Sequence, residues 1–420
     1  MAILKQYDNG LRVVIEPMSG FESVAFHVFV KTGSLNEQEG NFGISHFIEH
    51  MLFKGTEKRS AFEIVNELES VGANVNAYTD KTETCYYTKS TNDNLEKCVD
   101  VLSDMFFNSV FDKKEMTREK KVVCEEIAMY NDDAFSQSLI LANKIFYNGT
   151  KFALDVAGTK QSVHKLTKEK IQEYMDKYYT PSNVIISFAG NITEKKALKL
   201  VEKYFLNNFK QKSPEKEKSV EYTTKIEQNQ IKAYKDNEQA QVCISFPALK
   251  KNDERSYALK IFNFAFGGGM SSRLFQRIRE KLGLVYTINI SSYINDANGD
   301  TSIHFATSTK NVPLALKAIR EEIENVKNNG LTEKEFINSK NCYLSTTKIS
   351  FENTSTISLA NAKRVAFYNK PVSKKETIEK VQAVTIEDIN NLIKEIFDFD
   401  KCCISYVGKN SKINLWKYFV

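Results

Sequence analysis

Alternating apolar and polar positions from Glu83 to Thr91 (ETCYYTKST) predict a half-buried strand. A turn at Asn92-Asp93-Asn94 follows, then an amphipathic helix through LEKCVDVLSDMFF. The same succession returns as TSIHFATSTKNVPLALKAIREEIENV from Thr301. Thr88-Lys89-Ser90-Thr91 aligns with Ala306-Thr307-Ser308-Thr309 at an offset of 218, and Phe111 to Glu115 aligns with Leu331 to Glu335 at 220. The chain is therefore read as an internal duplication. The expected fold class is α+β, with two homologous α/β-sandwich-like units, each a mainly antiparallel sheet backed by helices. Units are expected over 1–209 and 225–420. Between them, KQKSPEKEKSVE has the polar, proline-containing composition of a linker, set at 210–224.

Candidate chemistry is concentrated in the first half. His46-Phe47-Ile48-Glu49-His50 sets two imidazoles one helical turn apart on one face, with a carboxylate beside them. With only five histidines in 420 residues, such a pairing around a glutamate is an unlikely accident. The spacing suits a zinc site that needs one more protein ligand and keeps its fourth position for water. Lys114 to Tyr130 reads as a helix on which Glu119 and Glu126 lie two turns apart along one face. On residue type alone Glu125 competes for the ligand role, Cys124 is a minor thiol candidate, and solvated helix charge is the plain alternative.

HFIEHMLFKGT (His46 to Thr56), GANVNAYTDKTETCYY (Gly72 to Tyr87) and EKKVVCEEI (Glu119 to Ile127) resemble the pitrilysin-type inverzincin peptidases (family M16), in the branch of mitochondrial processing peptidase and its bacterial relatives. The similarity continues through AGTKQSVHKLTKEKIQEYMDKYYTPSNVIISFAGNIT and GGGMSSRLFQRIREKLGLVYTI, and so spans nearly the whole chain. The resemblance implies a zinc endopeptidase holding one zinc per chain on His46, His50 and Glu126, with Glu49 as base and Glu119 as supporting carboxylate. Glu126 lies 76 residues beyond His50, an interval that favours it over Glu125. Arg279 and Tyr286 would hold the substrate backbone, the strand around Asn76 and Ala77 would pair with an extended peptide, and Phe53 would line an apolar pocket beyond the zinc helix. Read singly, Arg279, Tyr286 and Phe53 are ordinary structural residues.

The resemblance also implies a chamber of four such units, of which this chain supplies two. It is therefore expected to form a homodimer in which the partner's second domain completes the chamber around a peptide or unfolded protein substrate. A non-catalytic peptide-binding or scaffold subunit is the rival reading. Ser136 and Ile140 stand where processing enzymes carry acidic residues, which argues against a strict arginine requirement.

Offsets of 213 and 220 put Leu259, Phe262, Asn263 and Thr346 opposite His46, Glu49, His50 and Glu126, so the second half is expected not to bind zinc in this way. Gly267 to Gly269 lack a following Gly-Lys-Ser/Thr, which disfavours phosphate and favours a mobile or closely approaching loop.

Composition excludes little more. Lys and Arg number 58 against 53 Asp and Glu, a net charge of +5 with both signs mixed, and no basic stripe points to nucleic acid. No run reaches the roughly 18 apolar residues of a membrane span. A turn at Asp8-Asn9-Gly10 and a strand at Leu11 to Glu16 follow the first residues closely, and a cytoplasmic location is expected. The seven cysteines, odd in number and without CxxC spacing, read as reduced core thiols.

Overall fold

The structure is a computed structural model that describes residues 2–209, 226–295, 299–410 and 412–419. The expected linker at 210–224 lies outside the described residues. Two compact units are present. The first takes Met1–Ile127, Asp155–Glu217 and Lys348–Lys374; the second takes Ala128–Leu154, Lys218–Thr347 and Lys375–Val420.

In the first unit, β1 (Ile3–Gln6), β2 (Arg12–Pro17), β3 (Ser23–Val30), β4 (Asn74–Thr79), β5 (Thr84–Thr91) and β6 (Val184–Gly190) form one sheet in the order β1-β2-β6-β3-β5-β4. Only β2 and β6 run parallel. The second unit has β7 (Gln230–Tyr234), β8 (Gln239–Pro247), β9 (Thr287–Tyr293), β10 (Asp300–Ser308) and β11 (Cys403–Gly408) in the order β7-β11-β8-β10-β9, again with one parallel pair, β7 with β11. The two orders match strand for strand from β2 onward, as the repeat in the sequence requires. Among the described residues β1 has no counterpart in the second sheet; the duplication offset of 218 would place one at 221–224, outside them.

Strand composition decides which faces are buried. In β3, SVAFHVFV, residues from Val24 to Val30 are all buried, so both faces of the sheet face protein. Val24, Phe26, Val28 and Val30 join the core formed with α1 (Ile44–Leu52), α2 (Ala61–Glu69) and α3 (Leu95–Asn108). Phe29 turns to the other face, where Val14, Cys85 and Ile185 meet Ala362, Val365 and Ala366 of the helix Thr354–Tyr368.

That helix comes from the second half of the chain, and the traffic is reciprocal. After α4 (Lys113–Asp132), α5 (Ala134–Phe146) joins the second unit and packs on β8 and β11. The compact units therefore differ from the continuous segments 1–209 and 225–420 by one exchanged helix each. Periodicity shows that a helix has an apolar face; it does not show which sheet that face covers. Equivalent hydrogen bonds hold both helices. The Ser187 hydroxyl donates to the Ser358 carbonyl at 2.7 Å, and the Ser405 hydroxyl donates to the Ser138 carbonyl at 2.6 Å. Both pairs are related by the duplication offsets of 218 and 220.

All seven cysteines are free of disulfides; six are buried and Cys342 is exposed. Among the described residues no helix is long and apolar enough to cross a membrane.

His27 makes the first unit acid-sensitive. Its side chain lies on the β3 face toward the helix Thr354–Tyr368, with Nδ1 2.9 Å from the Ser358 hydroxyl, and burial pushes its pKa down to about 3. An unfolded chain takes up that proton near pH 6.5, so the folded state loses stability as the pH falls from about 6.5 toward 3. At pH 5 the loss is ~2 kcal/mol. Urea midpoints measured between pH 7 and 4 should fall less steeply in His27→Gln than in the parent. An identical slope would show that another group titrates.

Candidate metal centre

α1 begins in a tight corner. Gly43 has φ +90°, and a β carbon there would stand 2.4 Å from the Ala157 carbonyl oxygen, so glycine is required on both counts. The buried Glu37 carboxylate closes the helix start by accepting from the Gly43 N–H at 2.7 Å and the Ser45 N–H at 3.0 Å. Burial raises the Glu37 pKa to about 7 against the pull of those bonds. Ile44, Phe47, Ile48, Met51 and Leu52 then fill the core. Positions 46, 49 and 50 are left on the other face, half-buried.

α4 presents its carboxylates to this face. Glu126 Oε2 is 3.6 Å from His46 Nε2 and 3.4 Å from His50 Nε2. Ligands at 2.0–2.2 Å around a tetrahedral ion stand about 3.3 Å from one another, so this triangle has the size a zinc ion needs. Two imidazole nitrogens and one carboxylate oxygen are also the donor types that zinc prefers in catalytic sites. Among the described residues these three form a group of potential metal ligands whose donor atoms lie within 4.8 Å of one another. Helical phase separates the adjacent glutamates: Glu126 is half-buried toward the histidines, and Glu125 is exposed. Cys124 is buried with its sulfur 3.8 Å from His164 Nε2, outside that group.

Glu119, two turns back and buried, accepts from His50 Nδ1 at 2.8 Å and pairs with Lys54 Nζ at 2.8 Å. Burial would raise its pKa, but the bonds from His50 and Lys54 outweigh it and hold the carboxylate below its ordinary range. Without a metal, burial lowers His50 while Glu119 and Glu126 pull it the other way, to about 9. His46 is driven down to about 4, by burial first and His50 second, and its Nδ1 is buried without a hydrogen-bond partner. Burial raises Glu49, opposed by the Thr79 hydroxyl, which donates to Glu49 Oε2 at 2.6 Å.

The other expected residues divide by location. β4 ends the first sheet's order and pairs with β5 alone, leaving Asn76 exposed and Ala77 half-buried. Phe53 caps the C-terminal end of α1, half-buried against the first core. Arg279 and Tyr286 belong to the second unit, where the guanidinium lies 4.6 Å from the Phe275 ring centre and 5.7 Å from that of Tyr286, itself 68% exposed. Gly267 approaches β9 closely, since a β carbon there would meet Ile290 N at 3.0 Å.

At the positions equivalent to the zinc helix, Leu259 and Phe262 are core residues and Asn263 bonds the Ser292 hydroxyl at 2.9 Å. Thr346 bonds back to the Cys342 carbonyl. No ligand set forms from these four.

Three contributors were not singled out from residue type: Glu37, Lys54 and Thr79. Lys54 and Thr79 lie within the motif segments themselves, whereas Glu37 had no sequence signal beyond an acid upstream of a glycine-led helix start.

Comparison with known proteins identifies the family. The family description "Insulinase (Peptidase family M16)" matches residues 12–160, and "Peptidase M16 inactive domain" matches residues 165–342. The uncharacterized zinc protease YmxG of Bacillus subtilis is 36% identical over 95% of this chain and 97% of its own length. An uncharacterized zinc protease of Streptomyces coelicolor is 30% identical over 92% of this chain and 85% of its own. A protease structure from Helicobacter pylori shares the fold with a TM-score of 0.88 at 19% identity, covering 97% of this chain and 99% of that one. A Pseudomonas fluorescens structure titled as a peptidase M16 inactive domain does so with a TM-score of 0.88 at 18% identity, over 97% and 98%. With both halves matched in order and a zinc-sized donor triangle in the first, the chain belongs to peptidase family M16.

Proposed function

We propose that the protein is a zinc-dependent endopeptidase acting on unfolded peptides or presequence-like segments. The observation that carries this reading is the triangle of His46, His50 and Glu126 donors with the Glu49 carboxylate on the same helix face, fixed by Thr79. When bound, zinc would supply Lewis acidity, polarising the scissile carbonyl and acidifying water. Glu49 takes the proton from the attacking water and returns it to the leaving amine. Partial burial raises the basicity of Glu49, and the Thr79 bond limits that rise while aiming one carboxylate oxygen. Glu119 fixes the His50 ring through Nδ1, which leaves Nε2 for the ion.

An extended substrate would add to the free edge of β4 beside Asn76 and Ala77, because an edge strand offers unpaired backbone groups to a peptide. Phe53 would contribute to an apolar pocket. Arg279 and Tyr286 would clamp the substrate backbone, and the active species would be a homodimer.

One zinc per chain is expected by elemental analysis of reconstituted protein, falling to near zero in His50→Ala. A parent chain that takes up no zinc under any reconstitution would remove the metal from the mechanism. Glu49→Gln should retain the metal and lose at least about a hundredfold in kcat, since the amide cannot accept the proton. A variant within about tenfold of the parent would assign the base elsewhere. Mixing Glu49→Gln chains with Tyr286→Phe chains should restore part of the activity on cleavage of a quenched fluorescent peptide. Full loss in both single variants with no recovery in verified mixed dimers would rule out a clamp acting between chains.

A further inference from the structure

Three carboxylates, those of Glu49, Glu119 and Glu126, converge around the two imidazoles of α1. As ligands the imidazoles are neutral, and one divalent ion balances only two of the three negative charges. The third belongs to Glu119, whose side chain is only 5% exposed. Each of its oxygens has its own partner: His50 Nδ1 on Oε1 and Lys54 Nζ on Oε2, both at 2.8 Å. Lys54 reaches it from the turn that ends α1, where the Lys54 N–H bonds the Met51 carbonyl at 3.0 Å. The ammonium is thus carried by the same short segment as the histidine that Glu119 holds.

We infer that Lys54 is a positioning residue of the metal centre. It supplies the charge that balances Glu119 and stops the carboxylate from rotating, so that Oε1 stays on His50 Nδ1–H and His50 Nε2 stays available to the ion. Removing one partner of a buried ion pair leaves an uncompensated charge, and here that charge would sit one bond from a ligand. The inference rests on the zinc centre proposed above. It gives the motif segment HFIEHMLFKGT a role that reaches past its histidines and glutamate.

The test is zinc affinity, read by competition with a chromogenic chelator, in Lys54→Met, Lys54→Arg, Glu119→Gln and the double variant Lys54→Met/Glu119→Gln. Lys54→Met should weaken zinc binding about tenfold or more, the usual effect of losing an outer-shell partner. Lys54→Arg, which keeps the charge, should recover most of that loss. The double variant should bind zinc no more weakly than Glu119→Gln alone, because Lys54 acts through that carboxylate. The metal-free midpoint of Lys54→Met should fall, because Glu119 loses its partner, and should recover in Lys54→Arg. Affinities are therefore read well below every metal-free midpoint, where each variant is folded, and a purely structural Lys54 would leave zinc affinity there unchanged. Unchanged affinity in Lys54→Met, or losses that simply add in the double variant, would overturn the inference while leaving the zinc centre intact. A parent protein without zinc affinity would instead sink both.

Discussion

Both faces of the first sheet are apolar, and helices from its own half of the chain cover only one of them. Val14, Phe29, Cys85 and Ile185 would meet water if the helix Thr354–Tyr368 did not lie across them. The remedy is the exchange of one helix in each direction: the second, similar half supplies the helix that the first lacks. Apolar burial supplies the drive, at roughly 25 cal/mol per Å². Serine-to-carbonyl bonds then fix the register of each exchanged helix on its sheet.

The candidate centre grows from the same constraint. α1 must pack Ile44, Phe47, Ile48, Met51 and Leu52 against the covered face of the sheet, and this leaves its polar side no freedom of rotation. His46, Glu49 and His50 are therefore aimed before any ligand arrives. α4 meets them with two carboxylates at a spacing of two turns, one on each nitrogen of His50. Such preorganisation costs little at the site because core packing has already set the helix.

Much of this was legible in the residues, for identifiable reasons. The repeat could be read because strand alternation and helix periodicity survive divergence, and the matching strand orders bear it out. The pairing of His46 with His50 follows from helical geometry alone. The choice between Glu125 and Glu126 did not, since neighbours on a helix differ only by 100° of phase and the phase is set by what the helix packs against. The exchange of helices was out of reach for a similar reason: an apolar stripe is silent about its partner. Lys54 and Thr79 escaped notice because each acts on a residue of another element, Glu119 of α4 and Glu49 of α1, and Glu37 because it acts on backbone N–H groups, where residue type does not report a partner.

The reciprocal helices also bear on what can be inherited or transplanted. A cut between the halves would yield two pieces, each with a sheet stripped on one side and a helix whose apolar face has nothing to cover. Neither piece is a module in the sense of a fold that travels alone. The second half has lost the donors at the four equivalent positions, Leu259, Phe262, Asn263 and Thr346, while its helix Thr354–Tyr368 still covers the sheet of the half that keeps them.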